Sequence, residues 1–130
     1  MYTDPKAAYL STRAASSVHD ASPHKLIALL FDACLEQLAV AKGGISRGEV
    51  KLKSDAIKKA MDIIVNLQAV LDFEKGGQIA INLDDLYTFC TNRLALANVL
   101  NDPEKLDEVY QVIAKIKAGW SEIDGAVNDG

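Results

Sequence analysis

The chain has 130 residues, of which 49% are apolar and 25% charged. That length suits one domain with a real hydrophobic core, and the composition excludes disordered and fibrous classes. A formal net charge of −4 and a pI near 5.1 argue against a whole-protein electrostatic grip on nucleic acid or anionic lipid. The charge is uneven: residues 1–65 carry nine basic against seven acidic side chains, and residues 66–130 five against eleven. The C-terminal half therefore either faces a basic partner or presents a solvated acidic surface.

Residues 1–21 read as an N-terminal arm around Tyr2, Tyr9 and Leu10, with scope for a short helix near Pro5–Thr12. No charged region followed by an apolar one marks a secretion signal there. Ser22-Pro23 is a sharp helix start, because serine accepts from the free amides of the first turn and proline loses nothing at the first position. The first helix is expected from Pro23 to Lys42, ending at Gly43-Gly44. Its apolar run Leu26–Phe31 stops at Asp32, far short of the roughly 20 residues of a membrane span.

A turn at Arg47-Gly48-Glu49 leads to a second helix from Val50 to Phe73, with the stripe Ile57, Ala60, Ile64, Leu67 and Leu71. Steps of three and four suit the seam of an antiparallel bundle. Gly76-Gly77 is expected to close this helix. Asn82 then reads as the cap of a third helix over Leu83–Leu100, followed by Asp102-Pro103 and a fourth helix to Ile123 with the stripe Leu106, Val109, Ile113, Ile116 and Trp120. Residues 124–130 carry no pattern and read as a frayed tail. The expected fold is an all-α, up-down-up-down antiparallel four-helix bundle over residues 22–123.

The chain offers little for chemistry. Cys34 and Cys90 fall within apolar helical patterns, which makes them small, reduced core residues of a cytoplasmic protein. His19, Asp20 and His24 lack metal-ligand spacing, and no Glu-x-x-His pair occurs. The glycine pairs lack the flanking residues of a phosphate loop. Lys51, Lys53, Lys58 and Lys59, interrupted by Asp55 and free of aromatics, read as a solvated face rather than a nucleic-acid patch. No enzymatic activity, cofactor or metal is expected.

The distinctive feature is surplus apolar surface. Beyond one stripe per helix, the first helix is apolar nearly all round at its start (Leu26, Ile27, Ala28, Leu29, Leu30 and Phe31), the second adds Met61, Ile63, Val65 and Val70, and the third Phe89, Leu96, Val99 and Leu100. Such a surplus serves a binding groove for an amphipathic segment, a cover formed by the arm, a dimer contact, or a wider core.

Several motifs in order resemble the FliS family of flagellar secretion chaperones. These are Met1-Tyr2-Thr3 with Tyr9, Ala21-Ser22-Pro23-His24-Lys25-Leu26-Ile27 with Leu29-Leu30-Phe31-Asp32, and Lys59-Ala60 with Ile63-Ile64 and Leu67. Then come Leu71-Asp72, Lys75-Gly76-Gly77-Gln78-Ile79-Ala80, Asn82-Leu83 and Leu86-Tyr87. Arg93-Leu94, Ala97-Asn98, Asn101-Asp102, Glu108-Val109 and Ala118-Gly119-Trp120 complete the series. Departures are Phe31 for a common tyrosine, Ala33 for a common glycine, Gln78 for a common glutamate, and Gly119 before Trp120.

The resemblance implies a cytoplasmic, ATP-independent chaperone that binds the disordered C-terminal region of flagellin, prevents premature polymerisation, and is recognised with its client by the membrane-embedded flagellar type III export gate. It implies no nucleic acid and no membrane insertion. Tyr9 and Leu10 are expected arm contacts, and Leu29, Leu30, Ile57, Met61, Ile64, Leu86 and Tyr87 expected groove residues, in a monomer or weak homodimer. The alternative is a structural helical module that homodimerises through the same surface, without flagellin as client.

Overall fold

The computed structural model describes residues 22–123. The expected arm and tail lie outside them. Four helices occur among the described residues: α1 Pro23–Arg47, α2 Val50–Ala69, α3 Phe73–Leu100 and α4 Pro103–Glu122. The links between them are short, which makes sequential helices antiparallel neighbours. α1 packs on α2 and α4, and α3 packs on the same two. This is the expected four-helix bundle.

The core follows the seams read from the sequence. Leu30, Phe31, Cys34 and Leu38 of α1 meet Ile57, Ala60, Ile64 and Leu67 of α2, Tyr87, Cys90 and Leu94 of α3, and Leu106, Val109 and Ile113 of α4. Each fully buried leucine or isoleucine contributes about 1.5–3 kcal/mol of transfer free energy, so the seams dominate any single polar contact. Burial pushes the Cys90 thiol up to about 11. Cys34 is raised further by burial and then by nearby Cys90.

The helix ends fall partly where expected. Ser22 Oγ accepts from the Lys25 amide at 3.1 Å, and Asp102 caps α4 through the Glu104 amide at 3.0 Å. Three boundaries differ. α1 runs on through Gly43-Gly44 to Gly48, whose φ of +69° and bonds to the Gly44 and Ile45 carbonyls end the helix. Gly44 stays helical because it faces α2: a Cβ there would lie 2.9 Å from the Lys53 backbone nitrogen. The second helix stops at Ala69, not Phe73.

The third difference shapes the molecule most. Asp72, not Asn82, caps α3, accepting from the Lys75 amide at 3.0 Å. Asn82 lies inside the helix, where its Oδ1 accepts from Gln78 Nε2 at 2.9 Å. α3 then bends at Gly77, with φ +51° and ψ −127°, a region essentially reserved for glycine. The glycine pair bends a helix instead of ending one.

Lys53 also departs from the sequence reading. It is 5% exposed, and its ammonium donates to the Asn98 carbonyl at 2.9 Å and to Asn101 Oδ1 at 2.7 Å. The charge sits against the C-terminal end of α3, where the last carbonyls and the helix dipole favour a cation. This lysine belongs to the fold rather than to a solvated face.

Three outcomes are expected. Gly44→Ala should lower the midpoint of urea unfolding, because overpacking against backbone costs about 1–3 kcal/mol, more than the helix propensity gained. Gly119→Ala meets no atom within 4 Å and should raise stability by about 0.5–1 kcal/mol; a stabilising Gly44→Ala would refute the close approach of α1 and α2. Separately, both thiols should resist an aromatic disulfide reagent at pH 8 in the native protein and react fully in urea. Rapid native reaction would place a cysteine outside the core.

Candidate functional site

In an antiparallel bundle, the starts of α1 and α3 lie at the same end as the finishes of α2 and α4. At that end the four helices leave an open cleft of about 770 Å³. α1 contributes Pro23, His24, Leu26, Ile27 and Phe31, and α4 contributes Ile116 and Trp120. The opposite wall is built from Leu67 of α2, the link Val70–Asp72, and Lys75, Gly76, Ile79, Ala80, Leu83 and Tyr87 of α3.

The bend at Gly77 positions that wall. It lets the Phe73–Gly76 turn leave the axis of the rest of α3, so that Lys75 and Gly76 rim the cleft while Ile79 and Leu83 line it. A side chain at Gly76 would come within 2.9 Å of Ala80 Cβ. The glycine pair thus serves backbone conformation at one position and close approach at the next.

On the α1–α4 side of the cleft, His24 and Trp120 are joined by two hydrogen bonds and a ring stack. His24 Nε2 lies 2.7 Å from the Trp120 carbonyl oxygen. Since a carbonyl only accepts, that nitrogen carries a proton and donates. Trp120 Nε1 donates in return to the His24 carbonyl at 2.9 Å. The rings stack, with centroids 4.4 Å apart and planes 5° from parallel. His24 is thereby a partner of the site's wall, while His19 and Asp20, considered with it in the sequence, lie outside the described residues. Among the described residues no three His, Cys, Asp or Glu side chains group closely enough to hold a metal.

The cleft is chemically plain. Asp72 spends an oxygen on the helix cap, and His24 and Trp120 bond each other. Among the described residues no buried side-chain nitrogen or oxygen lacks a hydrogen-bond partner. Burial raises the Tyr87 hydroxyl well above its ordinary range, so it stays protonated at neutral pH. Among the described residues that line the cleft, no acid–base pair or activated nucleophile converges. The surface suits apolar side chains of a larger partner more than a polar small molecule, which needs placed hydrogen-bonding groups.

The expected groove residues scatter. Leu30, Ile57 and Ile64 are at most 1% exposed, belong to the bundle core and do not line the cleft. Tyr87 lies at the floor of the cleft. Leu29 and Met61 are half-buried, the latter against the core. Leu86 is exposed on α3 away from the cleft lining, and Tyr9 and Leu10 lie outside the described residues. The lining residues not singled out for this role include Leu26, Ile27, Leu67, Leu71, Ile79, Leu83 and Trp120. Their common signal is that each lies toward the same end of an antiparallel bundle.

The surplus apolar surface resolves into two parts. On α1 it is drawn inward or into the cleft, and no large hydrophobic residue of α1 is exposed. On α3 a second stripe remains exposed: Ile79, Leu86, Phe89, Leu96 and Leu100, beginning at the cleft itself. Residues spaced by seven share a helix face, so this stripe runs beside the buried seam. Arg93 sits within it, held by Glu108 of α4 at 3.1 Å and lying 5.2 Å over the Phe89 ring.

Among the described residues no helix is long and apolar enough to cross a membrane. The chain matches the family described as "Flagellar protein FliS" over residues 5–127. It is 40% identical over 116 residues to the flagellar secretion chaperone FliS of Vibrio cholerae, covering 89% of this chain and 85% of that one. It is 42% identical over 117 residues to the protein of the same name from Salmonella typhimurium, covering 89% and 87%. The flagellar secretion chaperone FliSB of Pseudomonas aeruginosa is 44% identical over 108 residues, covering 83% and 86%. Matches of that identity and extent, on a bundle with this apolar end, make the chain a member of the FliS family of flagellar secretion chaperones.

Proposed function

We propose that the protein is a cytoplasmic, non-enzymatic chaperone that holds the disordered C-terminal region of flagellin, prevents its premature polymerisation, and presents it to the flagellar type III export apparatus. The observation that carries this reading is an apolar cleft at one end of the bundle that continues at Ile79 into the exposed stripe of α3. From Ile79 to Leu100 that stripe covers on the order of 30 Å of helix, long enough for a segment rather than a single anchoring side chain.

A disordered client loses conformational freedom when it binds, so a large apolar footprint is required to offset that loss. An extended stripe supplies such a footprint where a closed pocket does not. Leu86 and Tyr87 are contacts in this scheme, with Tyr9 and Leu10 of the arm. Leu29 and Met61, half-buried outside the cleft lining, are further candidate contacts. No nucleotide or metal is called for, since holding and release need only binding equilibria.

The exposed α3 stripe also favours a second reading, a homodimer packed through the same face without flagellin as client. Sedimentation separates the two. We expect a monomer or weak dimer at micromolar concentration that converts to a one-to-one complex with client; a tight dimer that client leaves intact would favour the second reading.

The direct test is calorimetric titration with the C-terminal segment of flagellin from the same organism. Saturable one-to-one binding with a large negative heat-capacity change is expected. Ile79 is 71% exposed, so Ile79→Asp should preserve helicity and yet weaken binding by about tenfold or more, as loss of a central apolar anchor does. Unchanged affinity in that variant would remove the cleft from the client's footprint.

A further inference from the structure

We infer that His24 is a positioning residue for the cleft: it fixes Trp120 as one wall, so that client side chains meet a pre-set surface rather than a mobile indole. This rests on the reading of the cleft as the client site.

Trp120 needs such a restraint. It lies in the last turn of α4, which ends at Glu122, and the residue before it is Gly119, with open space around it. A helix terminus frays because its last carbonyls lack intrahelical partners, and glycine adds conformational freedom. An indole placed there by α4 alone would sample several rotamers. The Trp120 carbonyl lies in that last turn, where it accepts from the Ile123 amide at 3.3 Å and also from the His24 Nε2–H at 2.7 Å. The same histidine's backbone carbonyl takes the indole proton, and its ring covers one indole face.

Backbone and side chain of Trp120 are therefore both fixed from one residue. His24 itself is 4% exposed and sits in the first turn of α1, behind the Ser22-Pro23 start that sets that turn. Rigidifying a binding surface in its bound conformation improves affinity by removing an ordering cost from the binding step. His24 contributes in that way, through Trp120, beside any contact of its own.

Two substitutions separate the hydrogen bond from the ring. His24→Phe keeps an aromatic face against the indole and removes the donor to the Trp120 carbonyl. His24→Gln keeps an N–H at similar reach and removes the ring. Trp120 is the sole tryptophan, so its emission and its quenching by acrylamide report directly on the wall. With circular dichroism confirming the fold of each variant, His24→Phe should increase quenching of Trp120 and weaken binding of the flagellin C-terminal segment by about tenfold, the scale of a lost buried hydrogen bond. His24→Gln should recover most of the affinity. A purely packing role would give the reverse order, with His24→Phe near wild type, and would overturn the inference. So would unchanged quenching and affinity in both variants. Failure of the wild-type protein to bind the segment would instead bring down the client reading, and the positioning role with it.

Discussion

Closing a ring of four helices requires the first helix to meet the last, and no turn helps them do so. The other three neighbouring pairs are joined by short links, which makes their contact local. α1 and α4 must find each other across nearly the whole chain, with His24 and Trp120 separated by 96 positions. Loop-closure entropy opposes that encounter, though only logarithmically with length. The seam is fastened along its length by the Lys117–Asp32 and Lys42–Asp107 pairs over the apolar contacts of Leu30, Cys34, Leu106, Val109 and Ile113. The two ion pairs are substantially exposed and contribute about 0–1 kcal/mol each. Apolar burial supplies the stability, and the polar contacts fix the register.

At the cleft end, that seam becomes part of the site. At this end Gly77 bends α3, and the link Val70–Asp72 lines the cleft. Space opens that the side chains of four regular helices would have filled. What remains is lined by the same residue types as the core, which is why the surface is apolar without being chemically specialised. The bend that shapes the cleft depends on one glycine: only a residue without a Cβ takes a φ of +51° with a ψ of −127° without strain.

Much of this was legible in the sequence. The seams of α2 and α4 stood at steps of three and four, and Ser22-Pro23 and Asp102-Pro103 marked helix starts that the structure keeps. Two of the boundaries that moved involve glycine pairs that read locally as helix ends. Gly43-Gly44 favours a helix end locally, but α2 approaches too closely for a larger residue at Gly44. Gly76-Gly77 reads as a terminator, yet Asp72 starts α3 before it. Lys53 reads as a surface cation until the end of α3 is brought to it, which no local pattern reveals. The site was less legible for the same reason. Ile57, Ile64 and Leu30 are hydrophobic and regularly spaced, and periodicity alone cannot tell a seam residue from a groove residue. The antiparallel topology could: the open end gathers the starts of two helices and the finishes of two others, which points to Leu26, Leu67, Ile79 and Trp120.

The distribution of exposed hydrophobics bears on what such a surface can hold. Scattered exposed hydrophobics are ordinary on a protein surface, and Ile81 and Val99 of α3 are of that kind, but Ile79, Leu86, Phe89, Leu96 and Leu100 form a row that begins at the cleft, and the single arginine within it is already paired with Glu108 and laid over Phe89. A compact globular ligand would match the cleft and leave the row bare. A flexible chain can follow both, placing apolar side chains in the cleft and along α3 in sequence. Its entropy loss is then spread over many small contacts, each easily released. That balance suits a chaperone that must hold a segment firmly enough to keep it from assembling and loosely enough to hand it on. The proposed role therefore depends on the length and continuity of the apolar surface rather than on any one strong interaction within it.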